Sequence, residues 1–190
     1  KNGTITSVTR EKKKKPVPLP HCLSSLQKAA SSKLGMTAQQ ILDTAQSLYE
    51  KKLTTYPRTD CRYLPEEQFS DAARIITGVS GLETVTAKAD SALRGPVWDT
   101  KKITAHHAII PTGEEPRSLT AQEKELYLMI AVQYFLQFYP PMLYEAQKIL
   151  ATIVETAWEA RGRMIIEPGW TGFAAEEDDE DAKKKRPNSR

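Results

Sequence analysis

The sequence predicts an α+β fold in which helices come first and antiparallel strands follow. Between residues 24 and 77, and again from residue 120, apolar residues recur at helical spacing behind helix-capping signals. From residue 144 to residue 166, β-branched residues dominate two short runs separated by a polar break, which is typical of a strand pair. A chain of 190 residues with 39% hydrophobic residues can also bury a sizeable core.

An extended segment and a helix are predicted first. Residues 1–18 carry a lysine run followed by prolines, a composition typical of a strand or linker. Ser24 and Gln27 have the spacing of a capping box, in which two side chains bond free amides at a helix start. The helix that they predict ends at Gly35, because glycine readily adopts the left-handed backbone of a helix stop.

Two more helices are predicted before residue 78. Thr37 and Gln40 repeat the capping-box spacing and predict a helix that leads the chain towards residue 53. Pro65 suits a helix first turn because it has no amide hydrogen to lose there, and two acids follow it, so a third helix is predicted over residues 65–77. Residues 79–117 are interrupted by glycines and prolines, and no helix is predicted there.

A long helix and a strand pair complete the predicted fold. Thr120 and Glu123 form another capping box, and the helix that they open ends before two consecutive prolines. Residues 144–154 and 157–166 are predicted to pair as antiparallel strands. The alternating acidic and basic blocks of residues 174–190 cannot bury enough apolar surface to fold, so a disordered tail is predicted.

Composition excludes several classes of protein. The formal net charge of +3 is a weak argument for nucleic acid on its own. No apolar run is long enough to span a membrane and no leader is evident, so a cytoplasmic protein without a membrane partner is expected. Cys22 and Cys61 lie far apart without a CxxC pair, which predicts ordinary thiols rather than a disulfide scaffold or a zinc site.

The strongest chemical signal is the sequence LTTYPRTD at residues 53–60. The proline after Tyr56 disfavours a helical conformation at the tyrosine, so its hydroxyl can point into a cleft. A phenol has an ordinary pKa of about 10 and needs help to act as a nucleophile at neutral pH. The guanidinium of Arg58 can bind a phosphate and stabilise developing negative charge, and Asp60 could orient it. The pattern suggests phosphoryl transfer, although alone it is more typical of a plain turn.

A second segment, ITAHHAIIPT at residues 103–112, contains two adjacent histidines. In an extended chain, neighbouring side chains point to opposite faces, so only one histidine can reach a given site. That histidine could contact a phosphate or a leaving oxygen, while the other packs or meets solvent. Without other information, such a pair is more often structural than catalytic.

Together, residues 53–65 and 106–112 resemble the type IA DNA topoisomerases, in particular the bacterial topoisomerase III branch. The resemblance covers roughly residues 1–173, and further matching segments are residues 23–27, 34–39, 98–102, 138–141 and 160–170. It implies a mostly helical active-site domain inserted into part of an antiparallel β-rich arch domain. The helical domain would comprise residues 19–117, and the arch would comprise residues 1–18 and residues 118–173, including the long helix.

The resemblance also implies a mechanism and a set of site residues. In this family a tyrosine attacks single-stranded DNA and forms a 5′-phosphotyrosine link, the other strand passes through the gap, and the break is resealed. Tyr56 matches the nucleophile, Arg58 matches the arginine that positions the scissile phosphate, and His106 matches a histidine that contacts the site. Further DNA-binding residues implied by the resemblance are Ser24, Ser25, Gln27, Thr59, Asp60 and Lys102.

One family feature has no counterpart in the sequence. Family members bind Mg²⁺ through an acidic cluster in an N-terminal Toprim domain, and no such cluster precedes Tyr56. The resemblance therefore implies a central fragment that binds no metal itself. The fragment is expected to be monomeric, to be inactive alone, and to act with single-stranded DNA and the remaining topoisomerase domains in the bacterial cytoplasm, at the nucleoid. Cys61 stands where serine is usual in the family.

Two other functions are compatible with parts of the sequence. A relaxase or rolling-circle nickase also joins a tyrosine to DNA, but it needs two metal-binding histidines on one face, and His106 and His107 are adjacent. A non-catalytic helical DNA- or partner-binding module would instead bury the Tyr56 hydroxyl away from Arg58 and His106. Burial of Tyr56 distinguishes the module from the enzyme.

Overall fold

The computed structural model describes residues 3–173, which fall into two compact units. One unit comprises Val17–Pro140, and the other combines the described residues before Val17 with those after Pro140. The predicted disordered tail lies outside the described residues. Within residues 3–173, no helix is long and apolar enough to cross a membrane.

The first of these units is helical, and its residues form the core around which the site is built. Its long helices are connected by short turns and by two extended segments. The α-helices are α1 Leu23–Leu34, α2 Ala38–Glu50, α3 Ala72–Gly78, α4 Glu83–Thr86 and α5 Ala121–Phe135, and 3₁₀ turns occur at Glu66–Asp71, Thr100–Lys102 and Leu136–Phe138.

The other unit is a three-stranded antiparallel sheet with the strand order β1-β2-β3. Its strands are β1 Gly3–Lys15, β2 Met142–Ile153 and β3 Thr156–Glu167. The N-terminal strand and the antiparallel pair are therefore confirmed, and with the helices they confirm the α+β class. Val154 and Glu155 both adopt positive φ angles, 49° and 63°, which is the backbone of a two-residue hairpin turn that matches the twist of the strands.

The capping signals located two of the three long helices correctly. The Thr37 hydroxyl accepts a hydrogen bond from the Gln40 amide, and the Thr120 hydroxyl accepts one from the Glu123 amide. Gly35 ends α1 in left-handed backbone with a φ of 67°. These three signals act within one turn of the chain, so they did not depend on the tertiary fold.

The predicted start of α1 was wrong. The helix begins at Leu23 with Cys22 as its capping residue, rather than at a box made by Ser24 and Gln27. The Ser25 hydroxyl accepts a hydrogen bond from the Cys22 amide at 3.0 Å. The Gln27 side chain instead donates to the Ala38 carbonyl at 3.0 Å and so links α1 to the start of α2.

The third predicted helix is divided. Glu66–Asp71 forms a 3₁₀ turn, and only Ala72–Gly78 is α-helical. The tighter turn lets the Phe69 ring meet the Trp98 ring edge-on with centroids 5.2 Å apart. Long-range packing therefore overrides the local helix pattern. The short helix α4 lies in the stretch where no helix was predicted.

The long helix α5 lies in the helical unit, whereas the sequence analysis placed residues 118–173 together in the arch. Seven residues of α5, spaced three or four positions apart along one face of the helix, are buried. The Glu123 carboxylate accepts hydrogen bonds from Ser47 of α2 and from Lys51, the residue that follows α2, each at 2.6 Å. These contacts fasten α5 to α2, so the structural boundary falls after Pro140 instead of at residue 117.

Two extended segments of the helical unit carry the signals found in the sequence. We call residues 53–64 the tyrosine segment and residues 103–112 the histidine segment. A short antiparallel bridge joins Thr54 to Pro111, and another joins His21 to Ile109. The two segments therefore lie side by side.

We expect Glu123→Gln to destabilise the helical unit in a pH-dependent way. The hydrogen bonds from Lys51, from Ser47 and from the Thr120 amide lower the pKa of Glu123 from 4.5 to about 2. Because the folded pKa lies below the unfolded one, this stabilisation is present above pH 4.5 and is lost as the pH falls towards 2. The substitution should lower the free energy of unfolding at pH 7 by about 1.5–3 kcal/mol, measured by urea unfolding.

The control is Glu125→Gln, which changes an exposed carboxylate on the same helix. It should leave the free energy of unfolding nearly unchanged. Equal losses in both variants, or a loss from Glu123→Gln that does not shrink below pH 4.5, would contradict the assigned contact.

Candidate active site

The end of α2 directs the tyrosine segment away from the helix. Lys52 adopts left-handed backbone with a φ of 63°, and the Leu53 amide donates back to the Leu48 carbonyl at 3.0 Å. This bond closes the helix in the manner of a Schellman motif and buries Leu53. The chain leaves α2 in extended backbone three residues before Tyr56.

Tyr56 lies against His106, so the structure brings together two residues that the sequence analysis singled out separately. Their ring centroids are 4.4 Å apart and the rings are tilted by 40°. Tyr49 of α2 meets Tyr56 edge-on at 5.5 Å. Tyr56 is half-buried and His106 is exposed. The Tyr56 hydroxyl is not among the buried polar atoms that lack a partner within residues 3–173.

The second histidine has a different environment, as the alternation of an extended chain predicts. His107 Nε2 lies 3.1 Å from the Gln68 amide nitrogen, and His107 Nδ1 lies 2.9 Å from the Ala108 carbonyl oxygen. This arrangement fits a neutral imidazole that donates from Nδ1 and accepts at Nε2. Burial lowers the pKa of His107 from its ordinary value, which favours the same neutral form.

Arg58 and Asp60 both lie on the surface. No ion pair joins them or engages either one among residues 3–173, so the predicted orientation of Arg58 by Asp60 is not seen. Arg58 is two residues from Tyr56, at a bend in the chain, and its guanidinium has no ion-pair partner within residues 3–173. A planar cation without a protein partner is well suited to bind a phosphate.

Thr59 is buried, in contrast to its two neighbours. Its hydroxyl donates to the His106 carbonyl at 3.3 Å and accepts from the Cys61 amide at 3.1 Å. Its carbonyl accepts a hydrogen bond from the Leu23 amide at 2.9 Å, which places the start of α1 next to the tyrosine segment. Both the hydroxyl and the carbonyl of Thr59 are therefore engaged in hydrogen bonds within the protein.

Ser24, Ser25 and Gln27 of α1, which were predicted to bind DNA, differ in how accessible their side chains are. Ser24 is exposed, and its hydroxyl lies 3.3 Å from the Cys22 sulfur. Ser25 is occupied at the helix start and also lies 3.2 Å from His21 Nδ1. Gln27 is engaged with the next helix, so Ser24 has the most accessible side chain of the three.

Lys102 lies at the far end of the 3₁₀ turn that precedes the histidine segment. Its ammonium group sits 4.4 Å from the centre of the Tyr63 ring and 3.2 Å from an Asp99 carboxylate oxygen. The hydrogen bond to Asp99 raises the pKa of Lys102. Lys102 is exposed and remains a cation near the tyrosine segment.

Several supporting residues carried no signal in the sequence. His21 is buried, and burial together with the nearby Arg62 and Lys33 charges lowers its pKa to about 4. Arg62 donates to the Pro20 carbonyl at 2.8 Å and to the Leu19 carbonyl at 2.7 Å. These residues hold the proline-rich segment that precedes α1, and only the tertiary structure reveals their partners.

An open depression of about 520 Å³ lies beside Tyr56. It leaves one side of the tyrosine accessible. The lining residues are Tyr49, Glu50, Lys52, Thr54, Thr55, Tyr56 and Thr112.

The described residues do not offer a metal site. Between residues 3 and 173, no group of three or more histidine, cysteine, aspartate or glutamate side chains is placed to hold a metal ion. Cys22 and Cys61 are both buried free thiols.

Residues 1–190 match the sequence profile of the family described as DNA topoisomerase, and the chain therefore belongs to this family. The match confirms the resemblance on which the site residues were selected. It covers both the helical unit and the sheet.

The DNA topoisomerase 3 proteins of two bacteria are similar to this chain over most of its length. The Vibrio cholerae protein is 40% identical over 186 residues, which cover 94% of this chain and 29% of that protein. The Haemophilus influenzae protein is 39% identical over 181 residues, covering 92% of this chain and 28% of that protein. The chain thus spans less than a third of the length of these relatives, a share consistent with the predicted central fragment.

A solved structure has the same fold. The full-length topoisomerase I from Thermotoga maritima aligns with a TM-score of 0.66 and 24% identity, over 99% of this chain and 30% of that one. The alignment confirms the combination of helical unit and antiparallel sheet as a type IA topoisomerase fold.

We expect His106 to be the most reactive of the three histidines in the chain towards an acylating reagent such as diethyl pyrocarbonate. His106 is exposed, whereas His21 is buried and His107 is hydrogen-bonded and half-buried. Mass spectrometry of peptides after brief treatment measures the three sites separately. Faster modification of His107 than of His106 would contradict the orientation described for the histidine segment.

Proposed function

We propose that this chain supplies the DNA-cleaving tyrosine of a type IA topoisomerase. The observation that supports the proposal is the contact between Tyr56 and His106 on an accessible surface, in a chain of this family. The full-length protein would cut one DNA strand, pass another through the gap and reseal the break. Relaxation and decatenation of DNA follow from that cycle.

The proposed step is a transesterification that leaves the number of phosphodiester bonds unchanged. The Tyr56 oxygen attacks a phosphorus atom of single-stranded DNA, the O–P bond forms, and the bond from phosphorus to the 3′ oxygen breaks. The phenolic proton passes to solvent and the leaving oxygen takes up a proton as a 3′-hydroxyl. Resealing runs the same step backwards, so neither an oxidant nor ATP is consumed.

Arg58 is proposed to bind the non-bridging oxygens of the scissile phosphate. Charge grows on these oxygens in the transition state, so a fixed guanidinium stabilises that state more than the ground state. His106, packed on the ring of Tyr56, is proposed to contact the same phosphate or the leaving oxygen. Both side chains are exposed, as contacts with DNA require.

Other contacts with single-stranded DNA are proposed for the residues that remain accessible. Ser24, Asp60 and Lys102 are exposed and can reach a strand laid along this surface. The side chains of Ser25, Gln27 and Thr59 are occupied by bonds within the protein. We therefore propose that these three residues shape the DNA site rather than bind DNA through their side chains.

The remaining domains of the full-length protein complete the proposed enzyme. Mg²⁺ is proposed to bind a Toprim domain, as the family resemblance implies. We propose that this chain is monomeric, does not relax DNA alone, and acts in the bacterial cytoplasm at the nucleoid, where its substrate is found.

We expect Tyr56→Phe in the full-length protein to abolish the covalent protein–DNA adduct. The substitution removes the attacking oxygen and retains the ring that packs against His106. Adducts formed with end-labelled single-stranded DNA and Mg²⁺ can be separated on denaturing gels. The control is Tyr49→Phe, which keeps the edge-on contact with Tyr56 and should still form the adduct. An adduct in Tyr56→Phe would sink the proposal.

We expect Arg58→Ala to slow adduct formation by roughly 100- to 1000-fold, the usual loss when one group that stabilises the transition-state charge is removed. The rate of adduct formation by Arg58→Lys should lie between those of the wild type and Arg58→Ala. An ammonium group keeps the charge but cannot form the paired hydrogen bonds of a guanidinium. Single-turnover cleavage rates measure the effect. Arg117→Ala, which changes an exposed arginine outside the site, should cleave at the wild-type rate.

A further inference from the structure

We propose that Thr55 and Thr59 are positioning residues that set the distance between Tyr56 and His106. The inference rests on the proposed function, because it concerns the geometry of the cleavage site. It assigns a role to Thr55, a residue of the LTTYPRTD motif for which the sequence analysis gave none, and replaces a DNA contact with a positioning role for Thr59.

The need for such residues follows from the Tyr56–His106 contact itself. The two side chains meet through their rings, with centroids 4.4 Å apart. Within residues 3–173 neither side chain makes a hydrogen bond that would fix its position. Their relative placement therefore comes from ring packing, which includes the edge-on contact of Tyr49 with Tyr56, and from the backbones that carry them.

Thr55 connects these backbones on one side of Tyr56. Its hydroxyl donates to the Ala108 carbonyl at 3.0 Å and accepts from the Ile110 amide at 3.0 Å. Its own amide donates to the Ile110 carbonyl at 3.0 Å. Three hydrogen bonds from one residue thus hold the tyrosine segment to the histidine segment immediately before Tyr56.

Thr59 makes the matching connection on the other side. Its buried hydroxyl bonds the His106 carbonyl and the Cys61 amide. Only Tyr56, Pro57 and Arg58 lie between the two threonines, and only His107 lies between the two carbonyls that accept from them. Tyr56 therefore lies between the two threonines along the chain, and the carbonyl of His106 is itself one of the two acceptors.

The chemistry at these positions requires a hydroxyl of this size. Each threonine hydroxyl both donates to a carbonyl and accepts from an amide, a combination that valine cannot provide. Without it, the Ile110 amide and the Cys61 amide lose the partners shown here. Small displacements of reacting groups are costly, and a shift of about 1 Å can reduce a rate by roughly 100-fold.

The test compares Thr55→Val, Thr59→Val and the corresponding serine variants in the full-length protein. Single-turnover adduct formation on pre-bound single-stranded DNA measures cleavage, and fluorescence anisotropy measures the Kd for the same DNA. We expect the valine variants to cleave between roughly 10- and 100-fold more slowly while the Kd changes by less than about twofold. Serine keeps the hydroxyl and should restore most of the rate.

Thr77→Val serves as the matched control, because it also removes a threonine hydroxyl that donates to backbone carbonyls, but on α3. It should cleave like the wild type. Wild-type cleavage by both valine variants would overturn the inference, as would a loss of DNA binding that parallels the loss of rate and is not restored by serine. If the adduct also persists in Tyr56→Phe, the proposed function itself fails; if Tyr56→Phe abolishes it, only the positioning role is refuted.

Discussion

The pairing of the tyrosine segment with the histidine segment is the constraint on which the site depends. Neither segment is a helix or part of the sheet, so the polar groups of their backbones need partners from elsewhere in the chain. They find them in each other, across sequence separations of 47 to 55 residues. Because the pairing satisfies buried amides and carbonyls, it can hold irregular backbone in one conformation. The pairing of the two segments also brings the Tyr56 ring against the His106 ring.

The helices contribute by fixing the ends of this pairing. α2 delivers the tyrosine segment through the left-handed turn at Lys52, and its Tyr49 packs against Tyr56. The start of α1 is bonded to Thr59. α5 holds α2 through the buried carboxylate of Glu123. The candidate site is thus supported by helices even though Tyr56 and His106 lie in segments outside them, an arrangement suited to positioning side chains.

The sequence predicted what depends on local chemistry and missed what depends on distant partners. The capping boxes at Thr37 and Thr120 involve residues three positions apart, and both were correct. The start of α1 is an exception: the prediction was wrong although the box is local, because it is made by Cys22 with Ser25 and cysteine is not a preferred capping residue. The bonds of α5 to Ser47 and Lys51 join residues 76 and 72 positions apart, which no local pattern reveals. The same distinction applies to the site. The opposite orientations of the His106 and His107 side chains could be predicted, because neighbouring residues of an extended chain point to opposite faces. The hydrogen bonds of Thr55 and Thr59 could not, because their partners lie about 50 residues away in the other segment.

The motif around the tyrosine combines two kinds of residue, and burial separates them. Pro57 and Thr59 face inwards, whereas Arg58 and Asp60 face solvent, the period of two that an extended chain imposes. The two arginines of this region differ in the same way. Arg58 is exposed, whereas the Arg62 side chain donates hydrogen bonds to the carbonyls of Leu19 and Pro20. A match to the family motif therefore does not by itself make a residue a DNA contact. The inward-facing residues pack within the protein, and Arg58 is the exposed residue of the motif whose charge suits a phosphate.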